Sequence, residues 1–238
     1  MIATDDVRRA ITQAIGPALQ ARGFRSFRAG RSLRDGPGHV DVVEVQFCRS
    51  GFMPSNCPSL AIGRWLDFVP EDPVAGPLPR DGTGRPRMDE AICQIRKSVY
   101  RHRTRWWRKR QGLWMIGDDQ SGLQGCVADL VAAVDREVLP WFDRLDDPAA
   151  LFELVATGRS DIEGRLADPV MRGTWGFDGA FKRQVVAGFL AARCGRPEIA
   201  ARLLGEVLRE GGWRLPDGEL RPLQPALLAQ VRAEMPAI

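Results

Sequence analysis

The spacing of apolar residues changes period twice along the chain. Val7, Ile11, Ala14, Ile15, Ala18 and Leu19 recur at helical intervals, which predicts an N-terminal helix with one buried stripe. Thr4 is placed to cap it, and Asp5 and Asp6 fall in the first turn, where the helix dipole favours negative charge. Pro17 interrupts the pattern and predicts a kink or a break into two short helices, and Gly23 supplies a stop. From Phe24 onward the period falls to two. Residues 24–28 alternate weakly, Asp35-Gly36-Pro37-Gly38 is a turn signal, and residues 39–49 read as the clearest strand. There Val43, Val45 and Phe47 share one face, and Glu44, Gln46 and Cys48 the other. Val40 and Val42 are out of phase with the first set, which predicts a bulge near Val42–Val43. After a Pro-, Ser- and Asn-containing loop (50–59), Leu60, Ile62, Leu66 and Phe68 give another strand. Gly63 within it marks a bulge or a close backbone approach. Residues 70–88, rich in Pro and Gly, read as a long loop. Residues 91–100 and 106–116 read as two further strands, joined around His102 to Arg105.

Beyond residue 120 the period returns to that of a helix. Ser121 is placed to cap a helix carrying Leu123, Val127, Leu130, Val131, Val134 and Val138, which Pro140 should end. Asp147-Pro148 is a cap followed by a first-turn proline, and opens a helix with Leu151, Phe152, Leu154 and Val155. Asp178 is placed to cap a helix bearing Phe181, Val185, Val186, Phe189 and Leu190. Gly195-Arg196-Pro197 then turns the chain into a helix with Ile199, Ala200, Leu203, Leu204, Val207 and Leu208, an αα-hairpin. A last amphipathic segment spans 223–235. Strands followed by helices predict an α+β fold: an antiparallel sheet of four to six strands in the N-terminal half, packed against helices, and a mostly helical C-terminal part. The expected division is an α+β domain over 1–157 and a helical extension over 158–238 that packs on it.

Composition adds one feature to this picture. The 238 residues are 44% hydrophobic and 27% charged, an ordinary globular mixture. No apolar run reaches the ~18–20 residues that span a bilayer, and the acidic residues near the N-terminus do not fit a signal peptide. The five cysteines are odd in number and lack C-x-x-C spacing, so buried free thiols in a reducing compartment are expected, with no metal site. A cytoplasmic protein is the expectation, with no membrane partner and no cofactor. The formal charge is only +4, yet residues 96–110 hold eight basic residues and no acid, and without those eight the charge is −4. Arg96, Lys97, Arg101, Arg103, Arg105 and Arg108, with Trp106 and Trp107, are therefore the candidate interaction residues. Three readings stay open: a solvated sheet face, a protein partner with an acidic surface, and a nucleic acid contacted through phosphates and stacked bases. Trp106 and Trp107 are adjacent, so on a strand one of them faces away from the core and is a candidate interface anchor.

Catalytic signals are sparse. His39 and His102 are the only histidines. His39 shares a strand face with Asp41, but no Ser or Cys is tied to either by a nucleophile motif. The acidic pairs Asp5-Asp6, Asp118-Asp119 and Asp146-Asp147 fall where helices begin and read as caps. Gly82-Thr83-Gly84 is too short for a dinucleotide fingerprint. The expected class is thus a non-enzymatic interaction module, with a nucleic-acid-binding module and an enzyme of unrecognised type as alternatives.

A series of local features, in order, resembles the bacterial family catalogued as "domain of unknown function 4304". They are the helix running into Gly23-Phe24, Phe27-Arg28, the strand end Val45-Gln46-Phe47-Cys48-Arg49-Ser50, Leu60-Ala61-Ile62-Gly63, Cys93-Gln94-Ile95-Arg96, Trp106-Trp107, and Leu139-Pro140-Trp141-Phe142. The resemblance spans roughly the first 155 residues. It implies an α+β fold without known catalysis and, from some relatives' gene neighbourhoods, an immunity-type role. It transfers no catalytic residues.

Overall fold

A computed structural model describes residues 4–47, 57–70, 80, 82, 86–99, 101–105, 108–112, 114–117, 119, 121–157, 161, 166–177, 180–214, 220–222 and 225–234. The fold is α+β, as the change of period predicts. Helix α1 (Thr4–Gln20) is followed by strands β1 (Arg31–Gly36), β2 (His39–Phe47), β3 (Pro58–Leu66) and β4 (Ile95–Val99), with a 3-10 turn at Glu90–Ile92. Strands β5 (Arg101–Arg105) and β6 (Arg108–Gly112) come next, then α2 (Leu123–Ala133), α3 (Leu139–Leu145), α4 (Pro148–Thr157) and β7 (Thr174–Trp175). Helices α5 (Ala180–Arg193) and α6 (Pro197–Glu210), the short pair β8 (Gly212–Arg214) and β9 (Leu220–Pro222), and α7 (Pro225–Glu234) complete the chain. The main sheet has the order β1-β2-β3-β4-β7 and is antiparallel throughout, while β5-β6 and β8-β9 are separate two-stranded ribbons.

Cross-strand pairing fixes which residues share a face. Val43 lies opposite Ile62, and Val45 opposite Leu60. Together with Ile95 and Val99 they form the buried floor on which Val7, Ile11, Ile15 and Leu19 of α1 sit. Burying such a side chain contributes about 1.5–3 kcal/mol. The bulge expected near Val42–Val43 is absent: β2 pairs with β3 without interruption from His39–Leu66 to Phe47–Pro58. Val42 and Val43 are both fully buried, so the phase conflict arose because the sheet is covered on both faces there, not because the strand is irregular. At Gly63 the close-approach reading holds. A Cβ there would lie 2.7 Å from Cys93 Sγ, so glycine lets the segment after the 3-10 turn lie directly on β3.

Three other expectations are corrected. Helix α1 is continuous through Pro17, which is exposed, so the proline does not divide it into two short helices. Pro140 does not end the helix that begins at Leu123. That helix passes through a π-helical segment, Val134–Val138, into α3, where Pro140 occupies the first turn. The Leu139 N–H reaches back to the Val134 carbonyl, and such a widened turn re-routes the ladder that a proline would otherwise break. The residue before α2 is Gly122, in a left-handed conformation and without a side-chain cap, rather than Ser121. By contrast, Asp147 does cap α4, its Oδ1 accepting from the Ala149 N–H at 2.9 Å.

The segment after residue 157 contributes to the main sheet through β7, which pairs with β4. Trp141 Nε1 donates to Thr174 Oγ1 at 2.9 Å, and one apolar cluster extends from Val7 to Val231. No helix among the described residues is long and apolar enough to cross a membrane.

Candidate functional site

Among the described residues, a row of charged side chains crosses three strands in the interior. Arg34 of β1 pairs with Asp41 of β2, and Asp41 with Arg64 of β3. Directly paired residues of an antiparallel sheet stand side by side on one face, here the face that carries Val43 and Ile62. Asp41 is fully buried and Arg64 is 1% exposed. Burying such charges is costly unless each is paired and hydrogen-bonded, and here they are. Asp41 accepts from Arg34 Nε and Nη2 at 2.9 and 2.6 Å, and from Arg64 Nε and Nη2 at 2.7 and 3.1 Å. Arg64 Nη2 also donates to Asp146 Oδ1 at 2.6 Å and to the Phe142 carbonyl at 3.4 Å. The Arg34 guanidinium lies 5.0 Å from the Phe24 ring centroid and 5.5 Å from that of Phe142. The row therefore clamps the β1–β2 hairpin to the end of α3. Asp146 is an ion-pair partner in this clamp, not the cap that its place beside Asp147 suggests.

His39 sits at the rim of this cluster. Its Nε2 is 3.7 Å from Asp41 Oδ2, too far for a hydrogen bond. Burial, then the Arg64 guanidinium, hold its pKa below the ordinary 6.5, with Asp41 and Asp146 opposing. Beyond it opens a cleft of about 770 Å³ between the Gly36–Gly38 turn, the Arg64 clamp and the apolar side chains of Phe68, Leu151 and Leu190, with Arg193 at its edge. Among the described residues, its lining holds no Ser, Thr or Cys, and Asp41 is committed to two arginines. Among the described lining residues, the His39–Asp41 pair therefore has no hydroxyl or thiol beside it. Among the described residues no group of three or more His, Cys, Asp or Glu side chains is arranged to hold a metal ion.

The candidate interaction residues fall into three places. Arg96 and Lys97 belong to β4 and take opposite faces. Arg96 lies over the Trp175 ring at 3.8 Å from its centroid and 3.9 Å from the Glu90 carboxylate. Glu90 is buried, which raises its pKa above the usual carboxylate value, with Arg96 acting against the shift. Lys97 is 3% exposed. Its Nζ donates to the Val170 carbonyl at 2.6 Å, and burial lowers its pKa against the opposing pull of Glu137. Its charge faces the interior. Arg101, Arg103 and Arg105 occupy β5, and Arg108 begins β6. Residues 101–105 are thus a strand in their own right, not the connection between two strands. Trp106 and Trp107 lie outside the described residues, as does the question of which of them faces out.

The register of the ribbon is the informative observation. Arg101 lies opposite Gly112, Arg103 opposite Arg110, and Arg105 opposite Arg108. Residues at i, i+2 and i+4, with their direct partners, occupy one face, so five arginine positions share a face of β5–β6. His102, Thr104, Lys109 and Gln111 hold the other.

The buried clamp was missed by sequence reasoning, although a signal for it exists. Asp41 is in phase with Val43, Val45 and Phe47, and Arg64 with Leu60, Ile62 and Leu66. A charged residue on the core phase of two successive strands, with opposite signs, points to a buried cross-strand pair. Comparison with protein-family models, with curated proteins and with solved structures finds no match.

Proposed function

We propose that this protein is a non-enzymatic interaction module that uses the β5–β6 ribbon to hold the acidic surface of a partner protein in the cytoplasm. The observation that carries this reading is the arginine register: Arg103 against Arg110 and Arg105 against Arg108. Like charges placed directly opposite destabilise a ribbon, and a partner's carboxylates relieve that repulsion through bidentate guanidinium contacts. The resemblance to the bacterial family named above adds an immunity-type role, in which the acidic partner is a toxin. Charge reversal at Arg101, Arg103 and Arg105 tests it. Partners captured by the wild-type chain from its host are expected to bind the triple variant at least about 10-fold more weakly, the loss of one good charge-assisted contact. Unchanged capture removes the ribbon as the site.

A nucleic acid is the second reading, favoured by one feature: a two-stranded ribbon has the width that the major groove of duplex DNA admits. Duplex binding that falls steeply with added salt, and that the triple reversal abolishes, selects it over a protein partner.

A further inference from the structure

The sheet has a second face, and part of it is open. Asp35 pairs with Val40, and Val40 with Trp65, which places this row opposite to the face of the buried clamp. Here a groove of about 940 Å³ is floored by Leu33, Val40 and Trp65, within the size range of small-molecule sites. Four arginines line it (Arg25, Arg28, Arg31 and Arg87) against two aspartates, Asp35 and Asp67. Two of the arginines are already neutralised: Arg25 by Asp35, and Arg31 by Glu44 at 3.1 Å. Arg28 and Arg87 are exposed and have no ion-pair or side-chain hydrogen-bond partner among the described residues. Trp65 is half-buried, and its indole N–H is likewise unpartnered among the described residues.

We propose that this groove binds base–phosphate units, presented either by a free nucleotide or by single-stranded nucleic acid, with the base stacked on Trp65 and the phosphate held by Arg28 and Arg87. The pairing of features decides the ligand class. Unpaired guanidinium groups at the rim call for an anion. An aromatic face on an apolar floor calls for a flat, weakly polar ring. A base joined to a phosphate satisfies both at once, by the combination that single-strand-binding surfaces use. An acidic peptide would engage the arginines and leave the indole uncovered. The groove shares no residue with the β5–β6 ribbon, so this inference stands apart from the ribbon reading.

The test uses the full chain, with AMP and a short oligothymidylate as probes, followed by calorimetry and tryptophan fluorescence at low salt. Binding with quenching is expected. Trp65→Leu should remove the quenching and weaken binding about 10-fold, while Trp65→Phe, which keeps an aromatic face, should retain most of the affinity. Arg28→Ala with Arg87→Ala should weaken binding by a similar factor. These two residues are exposed, so that double variant keeps the idea testable if Trp65→Leu does not fold. Comparable affinity per nucleotide for the two probes identifies a free nucleotide as the ligand, and much tighter binding of the oligomer identifies a strand. The triple reversal at Arg101, Arg103 and Arg105 should leave AMP binding intact, which separates failure here from failure of the ribbon. No binding of either probe at millimolar concentration overturns the proposal. So does binding that survives both sets of substitutions, or polyglutamate binding that needs the arginines but not Trp65.

Discussion

Two arginine rows in this molecule have the same cross-strand geometry and opposite consequences. In the main sheet, Arg34, Asp41 and Arg64 lie side by side with alternating sign, and every hydrogen bond that Asp41 needs comes from its neighbours. In the β5–β6 ribbon, arginine faces arginine at two successive positions. The first row is complete within the chain and holds the hairpin to α3. The second is built from the same side chain on the same lattice of strands, and its register supplies no counter-charge. A row of charges on paired strands can satisfy itself only where the residue directly opposite carries the other sign, and under the proposed function the row without such partners is the one that meets a partner protein. Arginine content alone does not separate the two cases.

The largest expected effect tests the closed row. Asp41→Ala leaves Arg64 buried at 1% exposure with Asp146 as its remaining acid. Breaking one side of such a pair costs about 3–5 kcal/mol. Urea denaturation should report a loss of that size. Asp41→Leu combined with Arg64→Met should recover part of it, because the fully buried Arg64 charge leaves with its partner, while Arg34, 16% exposed, still loses its acid. A loss below about 1 kcal/mol for Asp41→Ala, the size of a surface pair, would mean that the row is not structural and would erase the contrast.

A smaller effect of opposite sign is expected in the open row. Arg103→Glu turns the Arg103–Arg110 position into an attractive pair, and cross-strand pairs of this kind contribute roughly 0.2–1 kcal/mol. Amide hydrogen exchange across β5 and β6 should slow while partner binding weakens. Faster exchange would show that the arginine face is compensated internally and that the ribbon does not depend on an external anion.

Much of this arrangement could be read from the sequence, and the parts that could not share a cause. The αα-hairpin of α5 and α6 was legible because its two stripes are long and its turn is fixed by Gly195, at φ +66°, and Pro197. Strand β1 was not. Arg31–Gly36 carries one apolar residue, Leu33, and pairs because β2 offers an edge, a tertiary cause with no local pattern. The supposed bulge at Val42–Val43 and the supposed helix end at Pro140 failed for related reasons. A layer covering the second face of β2, and a π turn before the proline, are supplied by residues elsewhere or by backbone geometry that period counting ignores. The basic stretch was correctly seen as dense in charge, yet its residues divide between a core lysine, an arginine stacked on Trp175 and a ribbon, because the chain changes sheet after Val99. Strand boundaries, not composition, decide which of those charges share a surface.

The smallest effect concerns His39, which borders the closed row and lines both the cleft beside Arg193 and the groove over Trp65. Its pKa is depressed from 6.5 by burial and by Arg64, against the pull of Asp41 and Asp146. The unfolded chain therefore takes up a proton at a pH where the folded chain does not. The stabilisation associated with neutral His39 is complete above pH 6.5 and is lost as the pH falls through the folded-state value. The pH dependence of stability in a His39→Asn variant should lack this component, so the difference between wild type and variant should be flat above pH 6.5 and should change below it. Glu90, whose pKa is raised, acts in the opposite sense and is common to both proteins, so it cancels in the difference. A flat difference throughout would mean that the imidazole is not coupled to the clamp. A difference that grows on acidification and shrinks in an Arg64→Met background, where burial alone still depresses the pKa, would tie the histidine to the buried row and would show that the closed set of charges extends to the rim of the two clefts.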